Sequence, residues 1–483
     1  MKKMVSIALA LVMAFAMTLT MNITTFAAEK TCKITAPTND HTYEIYQIFT
    51  GDVSGTTLSN VKWGKNGTGT EGNAVDSDIL DAIKAVNGTE QAKADALKAY
   101  ANLESKPLKE ITNGASVEAA EGYYLIKDKD NSLAGKDDAY TTYIVKVAGN
   151  VTINPKSDKP SSEKKVKDTN DTTGKTTEWQ DSADYDIGDE VPFQLSGTVA
   201  SNYDSYKVYK FTFHDKESKG LTFNKDSVKV YVDGKEVTTG YEVVTTPSDG
   251  DTFDVVFSNL KNISAVKAGS KITVEYKSVL NDQAVLGSAG NPNVMHLEYS
   301  NNPNDDQGGE TGKTPDDTVI VFTYKTVINK VDSSKQPLKG AEFTLKKKLQ
   351  NGKYEDIQVV KNEEGTSFTF KGLDDGEYLL EETKTPEGYN TIDPIKFTIT
   401  ATHEVLSDNP KLTQLNGEKI SGEIEFTKNL EEGSLTSDII NQKGSELPET
   451  GGTGTTTMYL VGGVLVAGAL LLLITKRRME SDR

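Results

Sequence analysis

From about residue 206 to residue 400 the sequence keeps returning to one pattern: short runs in which apolar and polar residues alternate, each closed by turn residues. "YKVYKFTFHD", "SVKVYVDGKEV", "KITVEYKSVL", "AEFTLKKKL", "TSFTFKGL" and "IKFTITA" are such runs, and "DG", "NG" and "DDG" stand between them. A period of two sends successive side chains to opposite faces of a strand, so each run has one apolar face to bury and one polar face to hydrate. Strands of this kind close as two-layered sandwiches. The expected fold class is mainly β, with tandem Ig-like β-sandwich domains.

Upstream the pattern changes. "SDILDAIKAV" and "QAKADALKAYANL" repeat apolar residues at helical spacing between strand-like "HTYEIYQIF" and "TTYIVKV", which predicts a mixed α/β N-terminal domain. Two stretches rich in Pro, Gly, Ser, Asn and Asp, "INPKSDKPSSEKK" and "NNPNDDQGGETGKTPDD", read as linkers or long turns. They divide the chain into domains near 29–157, 158–313 and 314–445.

Both ends are apolar. Residues 1–28 carry two lysines, an apolar run and small residues at Ala27 and Ala28, the pattern of a cleaved signal peptide. Met458 to Ile474 has no charge and as a helix reaches roughly 25 Å, enough with flanking adjustment to cross a hydrocarbon core. Lys476, Arg477 and Arg478 follow and favour the cytoplasm. The expectation is a precursor with a C-terminal transmembrane helix and its bulk outside the cell.

The net charge of -18 argues against a nucleic-acid partner. Removing both ends leaves 47 basic residues (53 − 6) and 69 acidic ones (71 − 2), or −22. Cys32 is the sole cysteine, so no disulfide within the chain stabilises it. His41, His214, His296 and His403 show no metal-ligand spacing, and neither metal nor cofactor is expected. An exported hydrolase is disfavoured, since G-x-S-x-G, H-E-x-x-H and a Cys-His pair are all missing.

Several strands place a polar residue in phase with apolar ones: Lys330 with Ile328, Glu382 with Tyr378 and Leu380, Asp215 with Phe211 and Phe213, Asn301 with Leu297 and Tyr299, and Lys164 with Val166. Burial drives a lysine and a carboxyl towards their neutral forms. A neutral amine is a nucleophile and a carboxylic acid polarises an amide, so an asparagine held beside them is set to form a Lys–Asn isopeptide bond with loss of ammonia.

"LPETG", Leu447, Pro448, Glu449, Thr450 and Gly451, followed by the apolar span and basic tail, resembles the cell-wall sorting signal of Gram-positive surface proteins. That resemblance implies a sortase that cleaves after Thr450 and passes its acyl group to an amine. "YLLEETKTPEGY", with Thr385 where alanine is usual, resembles the E-box of isopeptide-forming backbone pilins, "KVDSSKQPLKGAEFTL" is similar to the opening of their CnaB-type domains, and "LEYSNNPN" to the closing strand of their middle domain. The resemblance implies CnaA/CnaB-type sandwiches. It also implies a Lys330–Asn441 bond assisted by Glu382 and a Lys164–Asn301 bond assisted by Asp215, with Lys165 an alternative to Lys164 by register. The first domain shows no such triad.

"VTINPK" is similar to the pilin lysine motif, although Asn154 replaces its tyrosine, and this implies Lys156 as the receiving amine. The partners implied are a pilus-specific and a housekeeping sortase, identical subunits in a linear covalent polymer, peptidoglycan, and minor pilins or host surface ligands. The function implied is the shaft subunit of a cell-wall-attached pilus. A monomeric wall-anchored adhesin is the alternative.

Overall fold

The computed structural model describes residues 31–54, 57–87, 90–134, 136, 138–155, 158–444 and 453–481. The expected signal peptide, Lys156, and Leu447, Pro448, Glu449, Thr450 and Gly451 of the sorting signal lie outside them. The described chain is mostly strand, as the alternation predicts.

The first domain is mixed. Thr57–Trp63, Thr42–Ser54, Gly122–Asp128 and Thr142–Val147 form one sheet, joined by Lys109–Thr112, and Ser116–Ala119, Cys32–Thr35 and Val151–Thr152 form a smaller one. The helix Ser77–Lys84 buries Leu80 and Ile83, one turn apart on a single face, against a core that includes Phe49, Trp63 and Leu97.

The middle domain is a sandwich. One sheet orders Lys235–Val237, Leu221–Val232, Lys271–Leu280, Glu190–Thr198 and Ser161–Val166. The facing sheet contains Ser182–Asp184, Asp317–Phe322, Asn291–Ser300, Phe211–Glu217, Phe253–Phe257 and Glu242–Val244. Phe193, Phe211, Phe213, Phe253 and Tyr276 fill the space between them. The hairpin joining Leu221–Val232 to Lys235–Val237 turns on Asp233 and Gly234, both at positive φ (48° and 79°), the conformation a two-residue hairpin of this twist requires. Asp317–Phe322 pairs with Asn291–Ser300, so the middle sheet continues past the expected division at residue 313. The cause is that the linker-like stretch before it lies inside the domain, where its residues Thr311–Lys313 form a short strand paired with Asn291–Ser300.

The third domain packs the sheet Val359–Lys361, Ser367–Leu373, Tyr324–Val331, Ser434–Ile440, Thr427–Asn429 against the sheet Tyr354–Ile357, Glu342–Lys348, Gly376–Lys384, Ile395–His403, Leu412–Ser421. Its first strand, Tyr324–Val331, and its last, Ser434–Ile440, pair in parallel.

A helix, Thr453–Ser481, follows where the apolar tail was expected, and it exposes Met458, Leu460, Leu465 and Leu472. Among the described residues no helix is long and apolar enough to cross a membrane.

Candidate functional site: two buried lysines

Lys330 lies in the third domain's first strand, directly across from Ile439. It is fully buried, and its ammonium donates to the carbonyls of Ile439 (2.7 Å) and Val331 (3.0 Å). Burial lowers its pKa to about 8 against the pull of Glu382 and Asp332, so the neutral amine is a minor form at pH 7 but far more abundant than in an ordinary lysine. Asn441, also fully buried, donates from Nδ2 to both carboxylate oxygens of Glu382, at 2.9 and 3.0 Å, while its Oδ1 has no hydrogen-bond partner. Glu382 is held in turn by Thr385 Oγ1 and the Ile392 amide, each at 3.2 Å. Thr385, the departure from the motif's alanine, thus contributes a donor. All three expected residues come together.

The middle domain differs. Lys164 is fully buried between the sheets, its amine 5.5 Å from the centre of the Phe193 ring and 5.4 Å from that of Tyr276. The amine contacts Asp215 Oδ2 and donates to the Tyr276 hydroxyl at 2.9 Å. Desolvation lowers the amine and raises Asp215, and each partly offsets the other. Lys165 is excluded as the inward residue, since it pairs with Asp181 (2.5 Å) and Glu163 (3.2 Å) on the outer face.

Asn301 does not reach this centre. Its Nδ2 donates to the carbonyl of Asp138 in the first domain at 3.0 Å, and its own carbonyl accepts from the Tyr140 amide at 2.7 Å. The phase that placed it inward holds only to the strand's end at Ser300, beyond which the chain turns towards the first domain. The asparagine beside Lys164 is instead Asn293, fully buried in the same strand. Its Nδ2 donates to the Tyr276 hydroxyl (2.9 Å) and more weakly to Glu217 Oε1 (3.4 Å), and its Oδ1 has no hydrogen-bond partner. Glu217 is pushed up to about 8, first by burial and then by Asp215, so it keeps its proton at neutral pH.

Sequence reasoning missed Asn293, Glu217 and Tyr276, although each was in phase: Asn293 with Met295 and Leu297, Glu217 with Asp215, Tyr276 with Val274.

A third buried lysine behaves oppositely. Lys347 contacts Asp374 and pairs with Asp186 (2.7 Å) and Asp171 (3.0 Å), joining the middle and third domains. These carboxylates outweigh desolvation and hold it charged. In the first domain, buried Lys127 pairs with Glu44 (3.1 Å) and Asp130 (2.5 Å), and buried Asn66 is satisfied by Gln47, Ser105 and Lys106.

Of the expected receiving segment, Val151–Thr152 pairs in parallel with Cys32–Thr35, and Ile153 is buried with its amide bonded to the Thr35 carbonyl at 2.8 Å. Asn154 accepts no tyrosine-like role; its amide donates to Tyr143 Oη at 3.1 Å.

Residues 187–303 match the family described as Gram-positive pilin backbone subunit 2, Cna-B-like domain. Residues 325–411 match a prealbumin-like fold domain, and 439–481 the LPXTG cell wall anchor motif. The chain is 29% identical over 395 residues to the trypsin-resistant surface T6 protein of Streptococcus pyogenes serotype M6, covering 67% of this chain and 70% of that one. The solved T6 backbone pilin of the same serotype, described as a modular three-domain structure, aligns with a TM-score of 0.52 at 19% identity, over 87% of this chain and all of that one (100%). The chain thus carries a Gram-positive pilin backbone domain and an LPXTG cell wall anchor motif, and over most of its length it is similar to a streptococcal backbone pilin.

Proposed function

We propose that the chain is polymerised head to tail into a pilus shaft by transfer of the Thr450 carbonyl to the side-chain amine of Lys156 in the next subunit. A sortase thiol displaces Gly451, and the Lys156 amine then displaces the thiol. The last transfer goes to peptidoglycan. Before cleavage, Met458 to Ile474 holds the precursor in the membrane as a single pass, with Lys476, Arg477 and Arg478 inside. Each subunit supplies one electrophile and one nucleophile, so the assembly does not close on itself.

Within each subunit, two internal amides make the shaft resistant. Lys330 Nζ attacks Asn441 Cγ, one amine proton passes through Glu382 to the departing Nδ2, and ammonia leaves. Lys164 and Asn293 react in the same way, with Asp215 taking the amine proton and protonated Glu217 supplying one to the leaving nitrogen. The chain performs each closure once and is not a turnover enzyme.

The observation that carries this reading is the match of residues 187–303 to the pilin backbone family in a chain that also ends in the anchor motif. The test is a denaturing gel of cell-wall extracts. The native chain gives a covalent ladder, Lys156→Ala gives wall-bound monomer, and Thr450→Ala gives neither ladder nor wall attachment. A ladder that survives Lys156→Ala moves the branch to another lysine; a single band from the native chain favours a monomeric adhesin.

A further inference from the structure

The geometry points to a binding site for a zinc-class divalent cation formed by His214, Asp249, Asp251 and Asp254 on the outer face of the middle domain. His214 stands directly across from Asp254 in one neighbouring strand and from His296 in the other. Its ring stacks on that of His296, with centroids 4.8 Å apart and planes 17° from parallel, which fixes the plane in which its nitrogens point.

From His214 Nδ1 the distances are 3.0 Å to Asp254 Oδ1, 3.3 Å to Asp249 Oδ2 and 3.6 Å to Asp251 Oδ2, and all four ligand atoms lie within 4.8 Å of one another. Four ligands at about 2.0–2.1 Å from a tetrahedral ion stand about 3.3 Å apart along each edge. The three distances bracket that edge.

The second observation concerns hydrogen bonding. His214 is 8% exposed and Asp254 7%, yet neither ring nitrogen of His214 nor Oδ1 of Asp254 makes a hydrogen bond. The carboxylates near Nδ1 are close enough for charge attraction, but none meets hydrogen-bond geometry. Protonated, the imidazole pairs with these carboxylates; neutral, its Nδ1 lone pair and the three oxygens together present a set of metal ligands. Nε2 lies 3.6 Å from Glu298 Oε2, within reach of charge attraction but beyond a hydrogen bond.

An imidazole in the set selects a borderline ion such as zinc over calcium or magnesium, which prefer oxygen alone. Three carboxylates and a dication leave one net negative charge, whereas the unliganded cluster holds three like charges together. The ion would pin the segment Asp249–Asp251, between the strands Glu242–Val244 and Phe253–Phe257, onto the sheet. The acidic cluster at the junction with the third domain (Asp171, Asp186, Asp189, Asp374) offers no comparable site, because the Lys347 ammonium already occupies it.

The test uses the purified full chain in detergent, stripped with chelator and titrated by calorimetry with zinc and, separately, calcium. The expected result is one saturable zinc site per chain, a melting temperature of the middle domain that rises with zinc, and affinity reduced at least roughly tenfold by Asp251→Asn and by His214→Gln. Asp249 and Asp251 lie on the surface segment, so the double variant Asp249→Asn/Asp251→Asn keeps the fold, which unchanged metal-free melting checks. Absence of saturable zinc uptake by the native chain overturns the site. So does uptake that the double variant leaves unchanged, or calcium binding as tight as zinc and indifferent to His214→Gln.

Discussion

The middle and third domains each bury a lysine, an acid and an asparagine, but they place them differently. In the third domain Lys330 lies in one of two neighbouring parallel strands and Asn441 directly follows the other, and the lysine rests on two backbone carbonyls. In the middle domain Lys164 and Tyr276 come from one sheet and Asp215 and Asn293 from the other. The proposed Lys330–Asn441 bond would reinforce a seam that backbone hydrogen bonds already hold, whereas the proposed Lys164–Asn293 bond would staple two layers otherwise joined by packing and a few side-chain hydrogen bonds. The amines differ accordingly. Burial is the largest influence on both and lowers both, but Lys164 also contacts the carboxylate of Asp215, whereas Lys330 donates to backbone carbonyls. The proposed chemistry suits both settings because each offers a dry amine, a nearby acid and an amide whose oxygen has no hydrogen-bond partner.

The largest expected effect is all or none. Intact mass of the soluble part of the native chain should fall short of the sequence mass by two ammonias. Asn293→Ala and Asn441→Ala should each restore one, and Asn301→Ala neither. Restoration by Asn301→Ala would overturn the placement of the middle bond.

Next comes stability. Asp215→Ala removes the bond and also leaves Lys164 without its carboxylate, so the middle domain should lose about 3–5 kcal/mol for the orphaned charge in addition to the cross-link. Glu382→Ala removes the bond together with the acceptor for Asn441, Thr385 and the Ile392 amide; the bond itself, by analogy with a disulfide closing a long loop, contributes about 2–4 kcal/mol. Calorimetric melting of both variants checks the order. A larger loss in the third domain would erase the contrast between the sites.

A pH series on Asn441→Ala, where Lys330 keeps a free amine, comes third. Its folded pKa of about 8 lies below the ordinary 10.5, so the unfolded chain binds the proton more readily between those values. Stability of the third domain should be depressed below pH 8 and rise from about 8 towards 10.5, by at most about 1.4 kcal/mol per pH unit. Denaturant melts at several pH values measure it, and a flat profile would mean the amine is solvated.

The smallest effect is expected for Tyr276→Phe. It removes one hydroxyl shared by Lys164 and Asn293, costing about 1 kcal/mol and slowing closure of the middle bond while leaving the third untouched. Time-resolved mass measurement after refolding reads the rate, and equal slowing in both domains would show that the effect is not local.

The third domain's site was legible because "YLLEETKTPEGY" and "VINKVD" fix both the face and the position of Glu382 and Lys330 along their strands. In the middle domain, alternation reported the face but not the height. Asn293 and Asn301 have the same parity in "NPNVMHLEYSNN", and only the sheet register, Glu217 across from Asn293 and Phe211 across from Tyr299, shows which one meets Lys164. The sandwich class and the helix over Ser77–Lys84 followed from periodicity. The extent of the middle domain did not, because a long polar loop inside a domain has the composition of a linker. The His214 cluster was invisible for a related reason. Asp249, Asp251 and Asp254 are close in sequence, but His214 meets them only across strands, and spacing along the chain carries no record of that.

The parallel pairing of Tyr324–Val331 with Ser434–Ile440 also decides where the chain enters and leaves. Side by side and pointing the same way, the two strands admit the polypeptide at one pole of the domain and release it at the other. From Lys330 to Asn441 the chain advances 111 residues (441 − 330), which pulled straight would span roughly 370–400 Å. With those two residues joined, none of that slack is available to a stretched fibre, and its length under tension is set by the folded height of each domain.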